Sequence, residues 1–555
     1  MYEQLIEKIK EIKPSKNQLN RLKWDLCKEL NISKVPTDAE IFMSAKKEDI
    51  QVLRGILQTK PTRTISGVAP LALFSIPHRC PHGKCTFCVG GIGSPFGDVP
   101  QAYTGGGSAV RRAIRNKYDS YLQVFNRLEH YFVNGHEAAK VDIIIMGGTF
   151  PALDKNYQED FVKNIFKAMN DFSDIFFVDG EFDYIKFREF FELPVKDIES
   201  QERVDRLNEK IIKFKTKCSL EEEKKKNETS NIKCIGLTIE TKPDWALLEH
   251  GNLMLSQGCT RVEVGIQSVY DDVLKFMHRG HTFEDTKNSI RILKDLGFKI
   301  NTHHMNGLIE DRERDFEGMK QIFSNPDLRP DMIKIYPCLV FKGTGLYTLW
   351  KEGKFIALPT EEAAEMIADF KKYVPEYCRI MRVQRDLPHY EVEGGVKKPN
   401  LRQYVDKAAK RKGIKCRCIR CREIKHAAIK NPELKVMEYE ASKGKEYFIS
   451  FEENDKIIGF CRLRFPSQLL RSEITEKSAL IRELHVYSPA LAIGSKGEFS
   501  QHKGFGRKLV EKAEEIAKSN GKDKVVVISG VGVREYYKKL GYDLEGPYMV
   551  KSLSS

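Results

Sequence analysis

Apolar positions in the first sixty residues recur three and four apart. "YEQLIEKIKEIK" sets Leu5, Ile6, Ile9 and Ile12 on one helical face, and Pro14 ends the run. Lys8, Lys10, Lys13, Lys16, Arg21 and Lys23 give this region, residues 1–63, a basic edge. From about residue 64 the rhythm changes. Short apolar runs, "VDIIIMGGTF", "CIGLTIET", "RVEVGIQS" and "KINTHHMNGL", alternate with helical stretches such as 273–296. Each run reads as a buried parallel strand, and the repeat predicts an α/β fold built as a partial TIM-type (β/α) barrel over 64–375. Barrel chemistry gathers at the C-terminal strand ends, where Gly147-Gly148-Thr149, Glu240-Thr241, Gln267-Ser268 and His303-His304 fall. A charged stretch, 171–230, interrupts the pattern and is expected to be a helical, solvated insertion with a partly mobile tip. Beyond a segment at 376–425, alternating strands flank Asn454-Asp455. Strand 480–487, a glycine turn, helix 505–519 and strand 524–529 follow, which predicts a separate α+β domain over 426–555.

Composition narrows the setting. No apolar run approaches the eighteen or so residues of a membrane span, and the N-terminus lacks a signal-peptide pattern, so a cytoplasmic protein with no membrane partner is expected. The chain's 13 cysteines then read as metal ligands or buried thiols, not as disulfides. They cluster in two places, 80–88 and 416–421. The net charge of +14 is also uneven. Thirteen Lys/Arg against Asp406 and Glu423 make residues 397–430 a strongly basic run, suited to the phosphates of a nucleic acid.

In "CPHGKCTFC", Cys80, Cys85 and Cys88 are one ligand short of a closed zinc site. Three thiolates can instead hold three irons of a cubane cluster and leave the fourth open to the amino and carboxylate groups of S-adenosylmethionine. "MGGTF" offers bare backbone at the next strand end, where Gly147, Gly148 and Thr149 would meet that amino group. "QHKGFG", Gln501 to Gly506, opens a helix whose backbone N–H groups suit the pyrophosphate of coenzyme A. It lies between strand "RELHV" and "SGVGVREYYKKLGY", the order found in the acetyltransferase (GNAT) superfamily. Backbone at Glu483, Leu484, His485 and Val486 would hold the acetyl and pantetheine part, with Phe505, Gly506 and Arg507 at the helix start. Tyr536 and Tyr537 follow on the next helix, where similar enzymes place a tyrosine near the coenzyme sulfur; Tyr537 and His485 are the catalytic candidates. Cys416, Cys418 and Cys421 suit a small structural zinc loop that needs a fourth ligand.

Eight blocks in order, "CPHGKCTFC", "AVRRAIRNKYDSY", "VDIIIMGGTF", "CIGLTIETKPD", "VEVGIQSVYDDVL", "KIYPCLVFKGTGLY", "RIMRVQRDLP" and "RELHVY", make nearly the whole chain resemble the catalytic-subunit family of Elongator. That family joins a radical S-adenosylmethionine barrel to an acetyltransferase domain. Two departures stand out. The first cysteine gap is four residues where radical enzymes usually have three, and Met305-Asn306-Gly307-Leu308-Ile309 replaces a proline-rich strand end. The resemblance implies a 4Fe–4S cluster on Cys80, Cys85 and Cys88, with S-adenosylmethionine also contacting Glu240 and Gln267. It further implies acetyl-CoA touched by Lys140 across a domain boundary. For the zinc it points to Cys338 as fourth ligand, with Cys378 and His426 as alternatives. The implied reaction uses a 5′-deoxyadenosyl radical to activate the acetyl methyl group, joins it to C5 of the transfer RNA wobble uridine, and hydrolyses the thioester to leave carboxymethyluridine. The implied partners are transfer RNA, bound partly by residues 1–63, and a second copy or Elongator-like subunits. The rival is a protein lysine acetyltransferase in which the cluster is structural.

Overall fold

The computed structural model describes residues 1–64, 66–195, 197–424, 429–487 and 504–553. Seven strands form one parallel sheet in sequential order: β1 Ala69–Phe74, β2 Lys140–Met146, β3 Lys233–Thr241, β4 Arg261–Gln267, β5 Lys299–His304, β6 Met332–Ile335 and β7 Arg379–Arg382. Sequential parallel pairing requires a crossover between each pair of neighbours. β2 alternates Val141, Ile143 and Ile145, each fully buried, and β4 is buried along almost its whole length. That is why the strands read as apolar runs. Four N-terminal helices, among them Tyr2–Ile12 and Lys16–Glu29, join the same core through Leu5, Ile9 and Leu19. No helix among the described residues is long and apolar enough to cross a membrane.

The C-terminal sheet is mixed. β8 Glu433–Ala441, β9 Gly444–Glu453, β10 Lys456–Phe465 and β11 Ser478–Val486 run antiparallel in turn; β12 Lys524–Val527, β13 Asp543–Glu545 and β14 Tyr548–Ser552 complete it. Asn454 and Asp455 both have positive φ (50° and 63°), the left-handed pair that closes a two-residue hairpin in step with strand twist.

The insertion differs from the solvated segment that its charges suggest. It is helical, with helices at Gln201–Ile212 and Leu220–Asn227. The second of these is tied down by buried polar contacts. Asn170 donates to Glu223 (2.7 Å), and Asn227 bonds Asn170 and the backbone N–H of Cys234 (2.8 Å each). Glu228 then pairs with Arg534 (3.2 Å) and Lys538 (2.9 Å) of the C-terminal domain. These charges brace one domain against the other.

The main seam between barrel and C-terminal sheet is a buried ionic network. Arg482 bonds Asp331 through both oxygens (2.6 and 2.8 Å) and also Glu446 (2.9 Å). Arg464 bonds Asp295 (2.6 Å) and Glu446 (2.9 Å), and all five side chains are fully buried. Burial alone would raise the Asp331 carboxyl, but Arg482, Arg462 and Lys294 hold it far below the usual range. Removing one partner leaves cations in a low-dielectric seam. Asp331→Ala is therefore expected to cost about 3–5 kcal/mol, read as a lower urea midpoint near neutral pH. The wild-type advantage is complete above about pH 4, the unfolded carboxylate value, and is lost as the pH falls through the depressed folded value. An unchanged midpoint would show that the seam does not hold the two domains together.

Candidate active sites

The chain leaves β1 into a loop that turns back over the C-terminal end of the barrel. Gly83, with φ of 87°, donates its N–H to the Cys80 carbonyl (2.9 Å) and folds Pro81 and His82 into a tight turn. Cys80, Cys85 and Cys88 are all buried, and each sulfur has polar neighbours. Thr149 Oγ1 lies 3.5 Å from Cys80, and the N–H of Ala102 donates to Cys88 (3.3 Å). His82 Nε2 and Arg279 Nη1 stand 3.2 and 3.4 Å from Cys85. Burial, reinforced by neighbouring sulfurs, raises the Cys80 thiol and pushes Cys88 up to about 11. Such thiols become thiolates beside added positive charge, which iron supplies.

The next strand end is bare by necessity. Gly147 and Gly148 have φ of 127° and 102°, and a Cβ on Gly147 would lie 2.8 Å from Ser75 Oγ. A Cβ on Gly148 would stand 3.6 Å from the Cys80 sulfur. The loops enclose a cavity of about 210 Å³ bounded by the three cysteines, Glu240, Gln267 and Arg279. Gln267 holds a left-handed φ of 61°, and its buried Oε1 has no hydrogen-bond partner among the described residues. Strain and an unpaired acceptor together make Gln267 a candidate ligand contact. Tyr103 donates to Glu240 (3.1 Å), and Lys334 reaches Glu240 (3.6 Å) and Glu263. Burial would raise Glu263, but Lys334 and His303 (2.8 Å) hold it well below the carboxylate range. These residues fit a cluster with one open iron and a polar cosubstrate beside it.

The second site arises where two strands part. β11 and β12 pair from Ser478 with Lys524 to Ile481 with Val527, and no further. β11 continues to Val486 with β10 on one side only among the described residues. The free edge of Glu483, Leu484, His485 and Val486 is a template for an extended amide-bearing ligand. Helix Phe505–Ser519 packs against β11 and starts at Gly504, φ 74°. The N–H groups of Phe505, Gly506 and Arg507 lie in its first turn, where anions bind. Residues 488–503 lie outside the described residues, so Gln501 of the turn cannot be placed. A Cβ on Gly506 would stand 2.8 Å from the Tyr536 hydroxyl, which therefore sits at the helix start. Tyr537 is buried deeper, its ring 5.7 Å from Tyr542. His485 packs between Phe460 (5.8 Å) and Tyr487 (4.4 Å). Burial lowers it to about 4 although Glu483 opposes this, so the imidazole is neutral near pH 7. The Glu483 carboxylate is occupied by Arg462 (2.8 Å), which leaves its backbone for a ligand.

The sulfurs of Cys416, Cys418 and Cys421 lie within 4.8 Å of one another, a group able to hold a metal ion. Cys338 does not join them, contrary to expectation. It follows the end of β6, and so falls among the barrel-mouth loops, where it packs in one apolar cluster with Cys85 and Cys88. Cys378 is the cysteine whose backbone meets the triad, its carbonyl accepting from Ile419 N–H (2.9 Å). His426 lies outside the described residues.

Comparison with known proteins agrees with this division. Family models match in order: the ELP3 N-terminal domain over residues 1–65, the Radical SAM superfamily over 74–322, the Radical_SAM C-terminal domain over 330–411, and the Acetyltransferase (GNAT) family over 419–542. The tRNA uridine(34) acetyltransferase of Methanocaldococcus jannaschii is 44% identical over 93% of this chain and 90% of its own length. The chain belongs to the Elp3 family. Elongator complex protein 3 of Homo sapiens is 38% identical over 96% of this chain and 93% of its own. The solved structure of Methanocaldococcus infernus Elp3 lacking its N-terminus superposes with a TM-score of 0.70 at 39% identity, covering 88% of this chain and all of that one. Membership implies a 4Fe–4S cluster and S-adenosylmethionine for the barrel and acetyl-CoA for the C-terminal domain.

Within this Elp3 chain, Lys140 opens β2 opposite Lys233 of β3, and a Cβ on Gly532 would press on Lys233 at 2.6 Å. Lys140 is thus one strand away from the loop that precedes helix Arg534–Lys538. The departing loop is also settled. Asn306 is buried, its carbonyl accepts from Cys338 N–H (2.8 Å), and Gly307 donates to Asp315 (2.6 Å). Sequence reasoning missed Arg279, Tyr103 and Lys334, whose link to the site is purely spatial. His82 was visible inside the cysteine motif but had no assigned part.

Proposed function

We propose that this chain forms 5-carboxymethyluridine at the wobble position of transfer RNA from acetyl-CoA and S-adenosylmethionine. One observation carries the reading: a three-thiol cavity and a split-strand coenzyme site share one chain across a buried ionic seam. In this reading Cys80, Cys85 and Cys88 hold the cluster. Gly147, Gly148, Thr149, Glu240 and Gln267 orient S-adenosylmethionine. When bound, the cluster supplies the electron for reductive cleavage of that cosubstrate. Backbone at 483–486 pairs with pantetheine, and the first-turn amides of Phe505, Gly506 and Arg507 meet the pyrophosphate. Neutral His485 is available to accept a proton from water attacking the thioester, and the Tyr536–Tyr537 pair closes the coenzyme side. Cys416, Cys418 and Cys421 hold zinc, a structural tie next to β7.

The test supplies anaerobically reconstituted protein with transfer RNA, S-adenosylmethionine, a reductant and acetyl-CoA labelled in its methyl carbon. The label should enter uridine only when S-adenosylmethionine is present. Acetylated lysine formed without any need for S-adenosylmethionine would overturn the reading in favour of a protein acetyltransferase.

The basic run needs redistribution. Lys412 pairs with Glu365 (2.8 Å) and Asp369 (2.6 Å), Arg411 with Glu365, and buried Arg422 with Glu452 (2.9 Å). These charges serve the fold. Lys397, Lys398, Lys407 and Lys410 are exposed and without an ion-pair partner among the described residues, and they are the phosphate contacts in this reading. Changing Lys407 and Lys410 to Gln should reduce the salt slope of transfer RNA binding by about 0.7–0.9 per lost contact. Changing Arg411 and Lys412 should alter it less. Equal slopes for both pairs and wild type would place the RNA on another face.

A further inference from the structure

The three cysteine sulfurs have unequal surroundings. Cys80 has one hydroxyl neighbour and Cys88 one backbone N–H, whereas Cys85 has an imidazole and a guanidinium. A metal-bound thiolate carries no proton, so contacts to it must run from N–H to sulfur. Arg279 has only donors to offer, and its other Nη is fixed on the Gly265 carbonyl (2.7 Å). His82 Nδ1 is buried with no partner among the described residues, while Nε2 faces the sulfur. The neighbour therefore selects the tautomer with its proton on Nε2.

We propose that His82 and Arg279 set the reduction potential of the cluster by donating two N–H···S bonds to Cys85. The proposal rests on the reading that Cys80, Cys85 and Cys88 hold that cluster. Hydrogen bonds to ligand sulfur and nearby positive charge stabilise the reduced, more negative state. The four-residue first gap acquires a purpose here. Its turn, closed by Gly83 on Cys80, carries His82 back over Cys85. Packing then fixes the ring, because Gly280 leaves room for it: a Cβ there would lie 2.6 Å from His82 Cβ. Gly280 follows Arg279 directly, so one short segment, 279–280, both donates to Cys85 and seats the second donor.

The test is a redox titration of the full, anaerobically reconstituted chain, followed by the electron paramagnetic resonance signal of the reduced cluster. His82→Leu should lower the equilibrium constant for one-electron reduction about tenfold, which is 59 mV more negative for such a couple. Arg279→Gln, which also removes a charge, should shift it further, and His82→Gln, which restores an N–H, should recover part of the loss. Four-iron clusters of unchanged potential in His82→Leu and Arg279→Gln would overturn the proposal. Should a variant fail to hold four irons, wild-type protein exchanged into heavy water decides. Exchangeable proton couplings assigned to imidazole and guanidinium are expected around the reduced cluster, and their absence would overturn the proposal. A wild-type chain that takes up no iron at 80–88 would instead undo the cluster assignment beneath it.

Discussion

Cys85→Ala should eliminate carboxymethyluridine and 5′-deoxyadenosine while leaving coenzyme A binding intact. Two thiolates cannot replace three, and burial disfavours both remaining sulfurs as anions: Cys80 is raised and Cys88 is pushed up to about 11. The visible absorbance of the reconstituted cluster should disappear, and activity should fall to the uncatalysed background. The substitution removes one sulfur from an already packed loop, so the loss of fold stability should stay near about 1 kcal/mol. Circular dichroism and the urea midpoint check that the effect is chemical. Iron and turnover retained in Cys85→Ala would refute the ligand set. Zinc in place of iron at 80–88 after careful reconstitution would refute the radical reading altogether.

What could be read from the residues follows from how far apart the interacting groups lie. Buried parallel strands betray themselves locally: β4 is covered along almost its whole length and β3 along most of it, while β2 alternates buried with half-buried positions, and all three read as short apolar runs. The glycines at 147, 148, 504 and 506 are also local signals, since each occupies a backbone angle or a close approach that a side chain would obstruct. Charges resist local reading for the opposite reason. A run such as "LEEEKKKNETSN" looks solvated until Arg534, 306 residues away, meets Glu228. Arg411 and Lys412 likewise look free until Glu365 and Asp369 come beside them. Cys338 stands apart from the cysteine triad through topology: a residue shortly after a barrel strand belongs to the mouth, whereas the triad lies beside β7. Composition records how many charges a segment has, and only the fold assigns their partners.

Gly504→Glu should eliminate acetyl-CoA binding and carboxymethyluridine together, while S-adenosylmethionine binding survives. Gly504 precedes the coenzyme helix at φ 74°, and a Cβ there meets nothing within 4 Å. Space is therefore not the obstacle. A carboxylate at that point would lie where the first-turn N–H groups gather negative charge, and it would both occupy and repel the pyrophosphate site. The left-handed angle adds a strain of about 1 kcal/mol for any L side chain. Gly504→Ala carries that strain without the charge and isolates it; it should lose only a small part of the affinity. Isothermal titration with coenzyme A reads the first effect and nucleoside analysis the second. The pair with Cys85→Ala then decides how the domains cooperate. If the acetyl group consumed is the one held on β11, each variant abolishes product by losing a different ligand, and mixing the two proteins restores product only if acetyl-CoA or transfer RNA passes between chains. A Gly504→Glu protein that binds no coenzyme A yet still carboxymethylates uridine from acetyl-CoA would show that the barrel takes the acetyl donor directly. A protein acetyltransferase makes the opposite forecast, because its Cys85→Ala variant keeps full activity on protein substrates.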